Sequence, residues 1–97
     1  MMFKPLDPLL HSPLRLAVMS LLVAVDRADF NYLKKHTEST SGNLSVQIKK
    51  LETAGYITVK KGYKNNRPHT ECAITSKGKA AFQAYVNNLN EYLNPKS

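Results

Sequence analysis

The segment Thr40–Ile57, TSGNLSVQIKKLETAGYI, sets small and polar side chains ahead of two adjacent lysines. Wound at 100° per residue, Leu44, Ile48 and Leu51 share one face of a helix, with Ala54 near its edge. The far side carries Gly42, Ser45, Val46, Lys49, Lys50 and Thr53. Small polar residues at a helix start can approach base edges in a major groove, and lysines farther along can meet phosphates. Val46 suits a thymine methyl, and the amides of Asn43 and Gln47 can pair with adenine, although Gln47 leans toward the core side. The plain alternative is a solvated helix face, since surface lysine pairs are common.

A second cluster follows. Lys60, Lys61, Lys64 and Arg67 fall within eight residues, interleaved with Tyr63, Asn65 and Asn66. Such a basic loop can lie on a DNA backbone, with Arg67 entering a narrowed minor groove. It can also be a flexible, solvated tip. Its place directly behind a basic helix favours the first reading. Tyr63 either stacks on a sugar or packs on the loop.

Other chemistry is weakly represented. His11, His36 and His69 are scattered over different segments, and Cys72 is the single cysteine. A sensor built on Cys72 and His69 lacks paired-ligand spacing, so no metal and no cofactor are expected. Cys72 reads as a small buried hydrophobe. There is no Ser/His/Asp arrangement, glycine-rich phosphate loop or carboxylate pair, so the chain is not expected to be an enzyme. A lone cysteine cannot close an internal disulfide, which fits a reducing, cytoplasmic setting.

The elements that position these clusters can be read from caps and spacing. Ser12-Pro13 is an N-cap followed by proline at the first helical position. Leu14, Ala17, Val18, Leu21, Leu22 and Val25 then recur at steps of three and four, predicting a first helix that ends near Val25. Asp29 can cap a short second helix from Phe30 to about His36. Thr40 caps a third that ends near Ala54, with Gly55 just beyond it. Tyr56–Lys61 reads as a strand, Gly62–His69 as a long basic loop and Thr70–Ile74 as a second strand. Thr75 or Ser76 then caps a last helix reaching about Leu93. The order is helix, helix, helix, strand, strand, helix. The expected fold is α+β: a winged helix-turn-helix with three helices, a β-hairpin wing and a long C-terminal helix. One domain spans 1–97, with the helix-turn-helix at about 29–54, the wing at about 56–74 and the last helix at about 76–93.

Bulk properties agree. Ninety-seven residues suffice for one modest core. Net charge is +7, and residues 37–70 hold six basic against two acidic side chains. A balance this basic, concentrated on the two clusters, points to nucleic acid. The apolar run Leu16–Val25 is too short to cross a bilayer and leads into Asp26-Arg27-Ala28-Asp29, a poor cleavage site, so it reads as a core helix. No membrane partner is expected, because the apolar helix faces have a core to fill.

Three stretches resemble small single-domain winged-helix transcriptional regulators related to the MarR group: LDPLLHSPLRLAVMSLL (Leu6–Leu22), ADFNYLKKHTESTSGNLSVQIKKLETAGYI (Ala28–Ile57) and NRPHTECAITSKGKAAFQAY (Asn66–Tyr85). The resemblance covers nearly the whole chain. It implies sequence-specific, dimeric binding of double-stranded DNA at a pseudo-palindromic operator. Carried over residue by residue, it implies contacts at Ser41, Asn43, Ser45, Val46 and Lys49, and at Arg67 in the wing. Val46 departs from the basic or polar residue common at this place. With the charge pattern, Lys50, Lys60, Lys61 and Lys64 complete the candidate DNA-binding set.

Two copies would read half-sites about one helical turn apart, roughly 34 Å. In the last helix Phe82, Tyr85, Leu89 and Tyr92 form an apolar seam, which with Leu9, Leu10 and Leu14 is the expected homodimer interface. The rival reading is a winged-helix module that binds protein or RNA, since fold does not fix function. A protein-interaction module would not need positive charge on both helix and wing. RNA binding favours stacking aromatics, and the third helix has none.

Overall fold

The computed structural model describes residues 3–95. Four helices pack with one three-stranded antiparallel sheet. In chain order they are α1 (Pro13–Val25), β1 (Arg27–Asp29), α2 (Phe30–Thr37), α3 (Ser41–Thr53), β2 (Ile57–Lys64), β3 (Arg67–Ile74) and α4 (Ser76–Leu93). The sheet order is β1-β3-β2.

The helix starts follow local chemistry. The Asp29 carboxylate accepts from the Tyr32 N–H at 2.7 Å, Thr40 Oγ1 from Asn43 N–H at 3.2 Å, and Thr75 Oγ1 from Gly78 N–H at 2.9 Å. Each bond satisfies one of the donors a helix start leaves without an internal partner. At Ser12 the backbone is extended as a cap requires, but its hydroxyl makes no capping bond, and Pro13 alone pre-sets the first turn. Gly55, at φ +81°, turns the chain out of α3.

Two parts of the sheet differ from expectation. Three residues after α1 form β1, which pairs Ala28 with Cys72. So short a strand has too few residues to show an alternation. The long loop expected at Gly62–His69 is instead strand up to a two-residue turn. Asn65 and Asn66 take φ of +52° and +63°, the signature of a type I′ hairpin turn. Pro68 is tolerated because it pairs with Tyr63, one step from the closing Lys64–Arg67 pair. At that non-hydrogen-bonded position its nitrogen faces away from β2, and β1 ends before reaching it.

The core forms where α1, α2, α3 and the sheet meet. Val18, Met19 and Leu22 of α1 close on Leu33 of α2, Leu44 and Leu51 of α3, and Ile57 of β2. Each fully buried side chain contributes about 1.5–3 kcal/mol. Leu10, at the end of the N-terminal arm, is also fully buried, and Tyr85 is 4% exposed. Both therefore leave the expected dimer seam: their surfaces are already spent inside the protomer. Leu9, Leu14, Phe82 and Leu89 are half-buried against the same core.

The domain is elongated, at 58 × 25 × 21 Å. Its radius of gyration is 14.7 Å, against about 12.5 Å for a compact domain of this length.

Candidate nucleic-acid interface

The α2–α3 connection is tight and internally bonded. Glu38 adopts φ +53°, and its N–H returns to the carbonyls of Lys34 and Lys35. The hydroxyls of Thr37 and Ser39 are 2.8 Å apart. Thr40 then starts α3, whose inner stripe of Leu44, Ile48 and Leu51 is buried. That anchoring fixes which side faces out. Ser41, Asn43, Ser45, Val46, Lys49 and Lys50 are all exposed, and Val46 is 52% exposed. An apolar side chain in the middle of a polar, basic face has no partner within the protomer's core.

Hairpin register decides which wing residues join that face. Residues directly opposite one another share a side of the sheet. Val59 pairs with Cys72 and Lys61 with Thr70, on the side turned to α3. A cleft of about 330 Å³ runs between them and α3, bordered by Ser41, Ser45, Lys49 and Glu52 on one side and by Lys61 and Thr70 on the other, over Phe30 and Ile48. Lys61 thus extends the basic row of α3.

Lys60, Lys64 and Arg67 lie on the opposite side of the hairpin by register. Lys60 stands across from Glu71, which also takes Arg27 at 3.5 Å, so its charge is partly offset. Lys64 and Arg67 close the hairpin tip and border a second cleft with Asn31 of α2 and His69. They project from the end of the wing, free of carboxylates. Tyr63, also near the tip, is 81% exposed.

The α3 lysines are not locked. Lys49 Nζ lies 3.4 Å from Glu52, with its side chain 76% exposed. Such a surface pair is worth at most about 1 kcal/mol and yields readily to a phosphate.

Inside the fold, three contacts escape sequence reasoning. Arg15 of α1 donates through Nη1 to Gln47 Oε1, and through Nε to the Leu9 carbonyl at 2.6 Å. Gln47 Nε2 donates to Asn43 Oδ1 at 3.0 Å. The Tyr56 hydroxyl donates to Asp7, pinning the N-terminal arm. That bond, with burial and the carboxylate charge, pushes the Tyr56 phenol up to about 12. The first and third contacts join residues 32 and 49 apart in the chain, where no spacing rule operates. Only the Gln47–Asn43 pair, at i and i+4, carried a local signal.

Cys72 is fully buried. Burial, followed by the charges of Glu52 and Glu71, pushes its thiol up to about 11. The protonated, enclosed sulfur is a packing group. Among the described residues no three His, Cys, Asp or Glu side chains gather as a metal site. No helix among them is long and apolar enough to cross a membrane.

On α4, Tyr85 and Tyr92 lie on the edge nearest the core. Phe82 and Leu89 run down the middle, and Val86 and Leu93 lie on the outer edge. The tyrosines are tied down: Tyr85 OH to His11 Nδ1 at 3.0 Å, Tyr92 OH to the Lys4 carbonyl at 2.9 Å. Val86 is 41% and Leu93 69% exposed. The uncovered apolar surface of α4 is therefore the Val86–Leu93 edge together with Tyr92, itself 42% exposed, and of these only Tyr92 belonged to the seam expected from sequence.

Comparison with known proteins gives this arrangement a context. The family described as a winged helix DNA-binding domain matches residues 14–93. An uncharacterised protein of Methanocaldococcus jannaschii is 37% identical over 79 residues, covering 81% of this chain and 86% of that protein. Among solved structures, a transcriptional regulator homologue from Pyrococcus horikoshii superposes with a TM-score of 0.83 at 29% identity, over 89% of this chain and 85% of that one. A MarR-family regulator from Silicibacter pomeroyi shares the fold at a TM-score of 0.68 and 16% identity, over 90% of this chain and 60% of that one.

Proposed function

The chain belongs to the winged helix DNA-binding domain family, and we propose that it is a sequence-specific transcriptional regulator that binds double-stranded DNA as a homodimer. In this reading α3 enters the major groove. Ser41, Asn43, Ser45 and Val46 meet base edges, and Lys49 and Lys50 meet phosphates. Lys61 continues the phosphate row from the sheet, while Lys64 and Arg67 carry the wing tip to the adjacent backbone or minor groove. Lys60, facing Glu71, contributes least.

The observation that carries this reading is the shared cleft. Ser41, Ser45 and Lys49 of α3 share one cleft with Lys61 of the hairpin, Glu52 also lining it, so small polar groups and lysines from two elements converge beside the exposed face of α3. The homodimer rests on α4. Its Val86–Leu93 edge lies open beside the half-buried Phe82 and Leu89. A single helix-turn-helix touches too few bases to find one site in a genome, and a two-fold pair supplies a second half-site.

The test is selection of bound duplexes from genomic fragments at two salt concentrations. The expected result is a pseudo-palindromic motif that survives the higher salt. Recovery of fragments without a shared motif would refute sequence-specific reading.

A further inference from the structure

We infer that Arg15, on α1 and outside the DNA-facing surface, is a positioning residue that sets the base preference of Asn43 through Gln47. The inference rests on the proposed reading of DNA by α3.

The polarity of the relay is chemically forced. A guanidinium has only donors, so the Gln47 group facing Arg15 must be its carbonyl oxygen. The Gln47 amide nitrogen then points the other way, toward Asn43, and an NH2 group can only donate. Asn43 must therefore turn its own oxygen inward to accept at 3.0 Å. What Asn43 offers outward is its Nδ2, a pure donor. Arg15 is itself held, because its Nε donates to the Leu9 carbonyl at 2.6 Å. Arg15 and Gln47 are both half-buried, whereas Asn43 is exposed near the start of α3. The chain of bonds thus runs from a fixed interior group to a free surface group.

A free asparagine can place oxygen and nitrogen together on adenine, accepting from N6 and donating to N7. Here the oxygen is engaged by Gln47, so the donor edge dominates. The base edge that suits it is guanine, which shows two acceptors, N7 and O6, and no donor in the major groove. Without Arg15 the Gln47 amide can rotate, Asn43 can present either edge, and discrimination at that base pair falls.

The experiment is selection from a randomised duplex pool with the full chain, followed by affinity measurements on the selected site. Asn43→Ala locates the base pair that this residue reads, and wild type should prefer guanine there. Arg15→Met should lower discrimination at that pair by about tenfold. Preferences elsewhere in the site and the salt dependence should be unchanged. Gln47→Glu is the sharper variant. A carboxylate keeps the bond from Arg15 but can only accept from Asn43, so Asn43 must turn its oxygen outward. Its preference should swing to a base with a donor, adenine or cytosine. A purely structural role for Arg15 would weaken all sites equally and could not invert a preference. An unchanged preference in both variants would overturn the relay while leaving α3 as reader. A wild type that selects no motif would overturn that reading, and the relay with it.

Discussion

Gly78 gives a quantitative check on how α4 is seated. A Cβ added there would lie 2.1 Å from the Tyr56 carbonyl oxygen and 3.1 Å from Ile74 Cγ1. Ordinary carbon–oxygen contacts begin near 3.3 Å, so Gly78→Ala must push α4 away from the β2 entrance by about 1 Å. The displacement falls on a bonded corner. Thr75 N–H donates to the same Tyr56 oxygen at 3.1 Å, and Thr75 Oγ1 donates to the Gly55 carbonyl at 2.7 Å. Overpacking costs about 1–3 kcal/mol. Losing two hydrogen bonds adds about 0.5–1.5 kcal/mol each. Alanine's better helix propensity returns only about 1 kcal/mol. The net is roughly 1–5 kcal/mol of destabilisation. At about 4–8 °C per kcal/mol for a domain of this size, Tm should fall by at least about 4 °C. Thermal denaturation followed by circular dichroism measures it. A Tm equal to or above wild type, as helix propensity alone would give, would refute the close seating of α4 on β2.

Four further outcomes follow from the geometry. Val46→Glu should leave Tm nearly unchanged, because the side chain is exposed, while operator affinity by fluorescence anisotropy falls at least about tenfold; unchanged affinity would remove α3 from the groove. Arg67→Ala should reduce the slope of log K against log salt by about 0.9, and an unaltered slope would detach the wing tip from the phosphates. Val86→Asp with Leu93→Asp should give folded monomers with weak, salt-sensitive affinity for any DNA; light scattering that finds wild type monomeric at micromolar concentration, with or without operator, would refute the α4 pairing. In pH titration the Tyr56 phenol, raised from 10 to about 12, contributes stability that is complete below pH 10 and lost as pH rises through 12; Tyr56→Phe should flatten that alkaline loss of Tm, and an identical alkaline profile would show that the bond to Asp7 adds nothing.

What sequence makes legible here is local. The helices follow from caps at Asp29, Thr40 and Thr75, from Pro13, and from 3.6-residue spacing, all interactions within a turn or two. The exposed row of α3 follows from the same periodicity, because once Leu44, Ile48 and Leu51 face inward the positions of Val46 and Lys49 are determined. The wing itself is legible, but the length of its strands is not, for a physical reason. Gly62 and Pro68 look like loop residues, yet Pro68 costs nothing at an outward-facing nitrogen, and the true turn signal is the Asn65-Asn66 pair at positive φ. β1 has no periodicity to show in three residues; its place is set by partners on β3, 42 to 46 positions away.

The seam expected on α4 marks where periodicity stops being informative. An apolar stripe about 120° wide on α4 holds both the edge that fills the protomer's core and the edge left over, and spacing alone ranks them equally. Burial separates them. Tyr85 bonds to His11 and sinks, while Val86, one residue on and 100° around, stays open. The same separation applies to polar groups on α3. Asn43 and Gln47 look like interchangeable amides in sequence, but Gln47 is turned inward by Arg15 and Asn43 is left at the surface. In both helices a neighbour distant in the chain decides which of two similar side chains remains for a partner. The expected partner-facing set is therefore α3 from Ser41 to Lys50 without Gln47, Lys61, the wing tip at Lys64 and Arg67, and the Val86–Leu93 edge of α4.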